Sequence, residues 1–248
     1  MEVFQNLDVK KIILIPSYNE TEALNHFLNR LLPMCSKEVA VVICDDSEEL
    51  ARDYIGKLVK SQITMNKCSI FVDFSEVKTG RCHAVVRGLR LTYEKFPNAE
   101  FFVECDADES HQVTDVMKIL EDSHQSDFLI GSRYLPSSKI IGWPLSRRIF
   151  SRILNLLIPK LLGIKTTDVT NGLRRYSRKS VEQILALPLK TRGFITLSEI
   201  AVRLSERGFD PVDVPTIFVN RRFGKSTVTK KEIINSAKGL VSLLFARD

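Results

Sequence analysis

Four short runs, KIILIP at 11–16, VAVVIC at 39–44, SIFVDF at 69–74 and FFVECD at 101–106, are apolar almost without interruption and rich in Val, Ile and Phe. A strand with one wet face alternates apolar with polar residues, so unbroken runs mark strands covered on both faces, the pattern of a parallel sheet. Segments near 20–32, 48–60 and 80–95 lie between the runs and carry helical spacing, as parallel crossovers require. The first half therefore predicts an α/β fold, a mostly parallel central sheet flanked by helices.

The second half continues with a helix at 113–122, a strand at 127–131, and an amphipathic helix at 146–158 that Pro159 is expected to end or kink. Helices near 177–187 and 197–207 and a strand near 212–219 follow. The final stretch, KKEIINSAKGLVSLLFARD, spaces Ile233, Ile234, Ala237, Leu240, Val241 and Leu244 helically. A single domain over 1–227 is expected, then an amphipathic helix over 228–248 packed on the domain, a partner or a membrane.

Composition narrows the class. With 248 residues, 44% of them hydrophobic, the chain can bury a large core. It has no apolar run of membrane-spanning length, and its first residues lack the apolar core of a signal peptide, so a cytoplasmic location is expected. Cysteines 35, 44, 68, 82 and 105 form no CxxC pair and read as reduced, mostly buried thiols. Residues 1–124 carry 14 Lys+Arg against 21 Asp+Glu, and residues 125–248 carry 22 against 9. An acidic half suits a cation and a basic half suits phosphates or an anionic surface; solvated surface charge is the plain alternative. A nucleic-acid binder would leave the carboxylates at the strand ends unexplained, and few aromatics interleave with the arginines.

Ligands of open parallel sheets bind beyond the carboxyl ends of the strands. Three clusters sit there: Pro16 to Glu20, Asp45-Asp46-Ser47, and ECDADES at 104–110, which crowds Glu104, Asp106, Asp108 and Glu109 into six positions. Asp106 and Asp108 can aim oxygens at one Mg²⁺ or Mn²⁺ whose other positions are filled by water and substrate phosphates. A solvated acidic turn would have the same spacing. Lys78-Thr79-Gly80 precedes a helix whose free N–H groups suit an anion, although a plain turn explains it equally. On SRRIFSRILNLLIPK, Arg147, Arg148, Ser151, Arg152 and Asn155 fall within an arc of about 140° at helical period. The rest of that helix is apolar, which calls for two apolar contacts, such as the core and lipid. RRFGKS at 221–226 suits a loop closing over phosphates.

Taken in order, IPSYNE, CDDS, KTG followed by Ala84, DADESH, GSRY, a Trp-Pro before the basic helix, DVTNGLRRYSR, Glu199 and VPTIFVNRRFGKS resemble the family-2 glycosyltransferases. Within them the pattern is most similar to dolichyl-phosphate mannose synthases and related polyprenyl-phosphate sugar transferases, over about residues 11–227. The resemblance implies a GT-A (Rossmann-like) fold, a Mg²⁺ or Mn²⁺ cofactor, and inverting transfer from a nucleotide-sugar donor, GDP-mannose, to a polyprenyl or dolichyl phosphate acceptor. By position it implies that Asp106, Asp108 and Ser110 form the metal and diphosphate motif. Pro16, Tyr18, Glu20 and Asp46 match the nucleoside pocket, with Lys78 and Gly80 beside it. Arg133, Arg147 and Ser151 match acceptor-phosphate positions, Arg222 and Lys225 the closing loop, and Asp168 an acid ahead of Asn171-Gly172.

The chain departs from the pattern in four places. SEELARD follows Asp46 where Asp-Gly-Thr is usual, Arg81-Cys82 replaces a Leu-Gly pair, Val113 a proline and Asn171 a serine. The membrane surface is an expected partner, reached peripherally from the cytoplasmic side or through a separate anchoring subunit. UDP-glucose or a UDP-N-acetylhexosamine as donor, a polysaccharide acceptor with Asp168 as base, and a non-catalytic partner subunit are the alternative readings.

Overall fold

The computed structural model describes residues 8–63, 65–186, 188–193, 195–221 and 238–244. The apolar runs become β1 (Lys11–Ser17), β2 (Val39–Asp45), β3 (Ser69–Phe74) and β4 (Phe101–Glu104). They alternate with α1 (Thr21–Leu31), α2 (Glu49–Ile63) and α3 (Arg81–Lys95). Then come α4 (Val113–Leu120), β5 (Phe128–Ser132), β6 (Lys139–Ile141), α5 (Leu145–Leu162), β7 (Arg174–Ser177), α6 (Arg178–Leu185), α7 (Ile195–Ser205), β8 (Val212–Pro215) and β9 (Ile217–Val219).

The main sheet has the order β3-β2-β1-β4-β7-β5-β8. Every pairing is parallel except those of β7, which runs antiparallel to both β4 and β5. Alternation along β1 sorts the two layers. Ile12 and Leu14 face the cluster completed by α3, α6 and α7, whereas Ile13 and Ile15 face the one completed by α1, α2 and α4. A Cβ added at Gly88 of α3 would stand 2.2 Å from Cys44 Sγ, so glycine lets α3 lie close against the sheet. All five cysteines are buried free thiols.

Three expectations need correction. The strand expected over 212–219 is two strands: after Pro215 the chain leaves the main sheet, and β9 pairs with β6 in a parallel two-stranded sheet beside it. Pro159 does not end its helix. Its ring fixes a φ that a helix accepts, at the cost of one backbone hydrogen bond. The stop comes at Gly163, which is left-handed at φ 62° and lets Ile164 N–H return to the Pro159 carbonyl at 2.9 Å. The strand β7 was not foreseen. Its Arg174, Arg175 and Tyr176 are all fully buried. Arg174 donates to the carbonyls of Asn171, Leu197 and Val169, and Arg175 to those of Asp122 and His124. Backbone oxygens thus replace water around two cations.

Of the expected C-terminal helix, residues 238–244 are described; they are helical, with Leu243 buried in the core beside α7 and Leu240 and Leu244 packed against it. No helix among the described residues is long and apolar enough to cross a membrane.

Candidate active site

The carboxyl ends of β1, β2 and β4 open into one cavity of about 330 Å³. Pro16, Tyr18, Glu20, Asp46, Lys78, Gly80, Asp106 and Asp108 all line it, so the three strand-end clusters and the Lys78-Thr79-Gly80 turn converge. Its volume lies in the range typical of small-molecule pockets. Lys78 Nζ stands 3.4 Å from the Tyr18 ring centroid, and the Tyr18 hydroxyl reaches Glu48 at 3.2 Å.

Asp46 holds the cavity wall together. Its Oδ2 accepts from the N–H of Thr79 (2.6 Å), the Thr79 hydroxyl (2.8 Å) and the N–H of Gly80 (3.0 Å), and its Oδ1 accepts from Arg87 at 2.8 Å. Burial works to raise this carboxyl, but the donors prevail and hold it below the usual range. With its oxygens so occupied, Asp46 shapes the pocket through the 78–80 turn.

Each of the four crowded carboxylates has cationic company from the chain. Arg81 donates Nε to Asp106 at 2.6 Å, Nη1 to Glu104 at 2.8 Å and Nη2 to the Gly172 carbonyl at 2.9 Å. Tyr176 adds its hydroxyl to Glu104. Arg221 Nε lies 3.5 Å from Asp108 Oδ2, and Arg30 and His26 meet Glu109. Burial opposes ionisation of Asp106, yet Arg81 keeps its carboxyl below the ordinary value. A Cβ at Gly172 would lie 2.2 Å from Arg81 Nη2, so glycine there makes room for the guanidinium. Ser110 meets the motif through its backbone: its N–H donates to Asp108 Oδ1 at 3.0 Å, and the buried residue is not on the cavity wall. Glu20 is pushed up to about 7 by burial, then by the charges of Asp108 and Asp106.

A second cluster adjoins the first. Arg133 and Asp168 form a buried bidentate pair, both nitrogen-to-oxygen distances 2.7 Å, and the Arg133 N–H also donates to Asp168 at 3.0 Å. Asp168 is fully buried and each of its oxygens accepts from Arg133, an arrangement that turns this carboxylate toward the chain rather than the cavity. Arg147 Cζ lies 4.0 Å from the Trp143 ring centroid, and its Nη1 donates to Asn220 at 3.3 Å. Burial, then Arg221 and Arg133, hold the Arg147 guanidinium below its ordinary value, the mark of three cations gathered together. Ser151 accepts from the Tyr134 hydroxyl at 2.6 Å, and Asn155 donates to Thr170 at 2.9 Å. Arg222 and Lys225 lie outside the described residues.

The small sheet joins the two clusters. β9 carries Phe218, whose ring lies 5.5 Å from His111 and 5.2 Å from Trp143, and Arg221 follows it. His111 accepts the Asp106 N–H at 3.0 Å and pairs with Asn171 at 2.9 Å, which places its proton on Nε2.

The helix α5 divides its faces: Leu154, Ile158 and Leu162 pack on the core, and Arg148 and Arg152 of the expected stripe are exposed. Arg147, Ser151 and Asn155 point into the site, while Leu145, Ile149, Phe150, Ile153, Leu156 and Leu157 are each about half or more exposed. Arg81, Arg87, Trp143 and Arg221 were given no role from the sequence. Arg81 was visible only as a departure, Trp143 only within the Trp-Pro motif, and Arg221 only as part of a basic loop.

The model of the glycosyl transferase family 2 matches residues 12–185. The chain is a family 2 glycosyltransferase. It is 29% identical to an undecaprenyl-phosphate mannosyltransferase of Micrococcus luteus, across 89% of this chain and 88% of that protein. It is also 29% identical to a polyprenol monophosphomannose synthase of Mycolicibacterium smegmatis, across 90% and 83% respectively. Among solved structures, glucosyl-3-phosphoglycerate synthase of Mycobacterium tuberculosis, in complex with Mn²⁺, UDP and phosphoglyceric acid, superposes with a TM-score of 0.63 at 16% identity, covering 98% of this chain and 82% of that one. A mannosyltransferase of Pyrobaculum calidifontis, in complex with GDP-Man and Mn²⁺, superposes with a TM-score of 0.56 at 15% identity, covering 96% and 76%. The GT-A fold and the glycosyltransferase class expected from the sequence hold for this enzyme.

Proposed function

We propose that this glycosyltransferase moves mannose from GDP-mannose to a polyprenyl phosphate, with inversion, at a membrane surface. The carrying observation is the orientation of the first half of α5. Arg147, Ser151 and Asn155 face the site, while Leu145, Ile149, Phe150, Ile153, Leu156 and Leu157 are left outside, as suits an acceptor with an anionic head and a hydrocarbon tail. The names of the two curated relatives support the same acceptor class and the same sugar.

In this reading the nucleotide-sugar occupies the cavity from Pro16 to Asp108, with Lys78 and the first turn of α3 toward its phosphates. The residues fit a divalent cation. Among the described residues no three ligating side chains form a metal site by themselves, and Mg²⁺ or Mn²⁺ commonly takes one or two carboxylates plus phosphate oxygens. Asp106 and Asp108 would hold it, and when bound it supplies positive charge for the departing diphosphate. Arg81 fixes the Asp106 carboxylate in orientation.

Arg147, Arg133 and Arg221 hold the acceptor phosphate and offset its repulsion from the donor diphosphate. A phosphate monoester has its second pKa near ~6 and is largely a dianion at neutral pH, so it needs no base. One of its oxygens forms the bond to the anomeric carbon, and the bond to the diphosphate breaks with its electron pair leaving on GDP. The pairing of Asp168 with Arg133 counts against Asp168 as the base that a hydroxyl acceptor would require.

The test is transfer from radiolabelled GDP-mannose, UDP-glucose and UDP-N-acetylglucosamine to undecaprenyl or dolichyl phosphate with Mg²⁺ or Mn²⁺. Label extracted into organic solvent from GDP-mannose alone, and lost in Asp108→Ala, is expected. Label from a UDP-sugar would overturn the donor. No lipid label from any donor, in membranes as well as detergent, would overturn the acceptor.

A further inference from the structure

The proposed acceptor site asks two guanidiniums to sit close together before any anion arrives, and one ring accounts for how they do. Trp143, the only tryptophan of the chain, follows Gly142, which turns the chain out of β6 at φ 77°. It is 7% exposed. Arg147 Cζ lies 4.0 Å and Arg133 Cζ 5.2 Å from its ring centroid, both within cation–π range. Phe218 meets the ring edge-on at 5.2 Å and fixes its tilt.

The two arginines are held very differently otherwise. Arg133 has Asp168 in bidentate contact. Arg147 has one 3.3 Å hydrogen bond to the neutral Asn220 side chain, and of the charges near it Arg221 and Arg133 repel it while Asp108 attracts it. The Trp143 face, with Cζ 4.0 Å from its centroid, is thus a direct support that keeps Arg147 over the site, beside the Asn220 side chain. The indole N–H is buried and has no acceptor. The useful part of the side chain is the ring face.

Resting on the acceptor reading above, we propose that Trp143 is a positioning residue for the acceptor phosphate: its ring holds Arg147 beside Arg133 and so sets affinity for the anionic head of the acceptor. It acts through Arg147, so its loss falls on the acceptor and spares the nucleotide-sugar. Removing it from an enzyme that already lacks Arg147 adds nothing.

Steady-state kinetics with undecaprenyl phosphate in detergent test this on Trp143→Leu, Trp143→Phe, Arg147→Ala and the Leu/Ala double variant. We expect Trp143→Leu to raise the acceptor KM about tenfold while the donor KM stays within about twofold, as loss of roughly one cation–π contact would require. Trp143→Phe, which keeps a ring and forfeits no hydrogen bond, restores most of the affinity. The double variant matches Arg147→Ala alone.

If Trp143→Leu keeps the wild-type acceptor KM while Arg147→Ala raises it, the positioning role is wrong and the acceptor reading stands. If neither variant alters it, the acceptor reading falls and the inference with it. A donor KM raised as much as the acceptor KM, or a Phe variant as impaired as Leu, also overturns the proposal. Should Trp143→Leu not fold, the wild-type enzyme carries the test. Geranyl phosphate is titrated while the single tryptophan is excited selectively: an emission change that Arg147→Ala abolishes is expected, and unchanged emission at saturation refutes the role.

Discussion

Replacing Asp46 with Asn isolates what the Asp46 carboxylate does for the donor pocket. The carboxylate accepts four hydrogen bonds, three from Thr79 and Gly80 and one from Arg87, and is almost fully buried. An amide of the same shape keeps one acceptor oxygen. Arg87 retains Asp73 at 2.6 Å, so the amide oxygen stays with the 78–80 turn and its NH₂ is left facing the Arg87 guanidinium, donor against donor. A hydrogen bond to a charged group is worth about 1.5–3 kcal/mol, and Arg87 is partly exposed, which screens its share. The expected loss is about 3 kcal/mol at pH 7, a fall in Tm of roughly 6–12 °C for a chain of this size. The sign with pH follows from the depressed carboxyl. Its folded value lies below 3.8, so its contribution is complete above the unfolded value and disappears as pH falls through the folded one. Thermal unfolding followed by circular dichroism at pH 7, 5 and 3 should show the gap between wild type and variant full at the first two and narrowed at the third. A fall of under ~2 °C at pH 7, which is less than one hydrogen bond predicts, or a gap as wide at pH 3 as at pH 7, would refute the reasoning.

Three other changes have defined outcomes. Gly172→Ala drives a methyl into a guanidinium that Asp106, Glu104 and a carbonyl hold in place. Unfolding should show a loss of about 1–3 kcal/mol, and transfer should fall at unchanged acceptor KM. Arg81→Leu strips the charge partner from Glu104, which is 1% exposed. Denaturant titration should give a loss of about 3–5 kcal/mol, whereas Arg81→Leu with Glu104→Gln should recover part of it. Phe150→Glu with Leu157→Glu places charge on the outward face of α5. Sedimentation with anionic vesicles should drop at least tenfold with the Tm unchanged, and wild-type sedimentation would exclude α5 as the membrane contact.

The parallel core was legible because β1 to β4 obey a simple rule: strands buried on both faces are apolar on both faces. The strand β7 breaks that rule. Arg174-Arg175-Tyr176-Ser177 reads as surface, and the carbonyls gathered around it, from the preceding turn and from distant segments, let it be a central strand. The spacing of α5 revealed a cationic stripe and a broad apolar face, but periodicity does not say which one turns inward. That depended on Tyr134, Thr170 and Asn220, remote in sequence. The convergence of Pro16, Asp46, Asp106 and Asp108 followed from strand ends alone. Their local partners did not: Arg81 and Arg87, which balance much of the acidic end, sit on a helix whose sequence shows no more than ordinary surface charge. Likewise Asp168 looked available as a base until its burial against Arg133 was known.

The central claim is that a lipid phosphate, held by arginines and unaided by a base, is the nucleophile. Its most direct test offers the enzyme undecaprenyl phosphate and free undecaprenol side by side, in the same detergent, with radiolabelled GDP-mannose and Mn²⁺. The account predicts labelled lipid from the phosphate only, with Arg147→Ala greatly reducing it. Comparable labelling of the free alcohol, or transfer to the phosphate undiminished in Arg147→Ala, would contradict it.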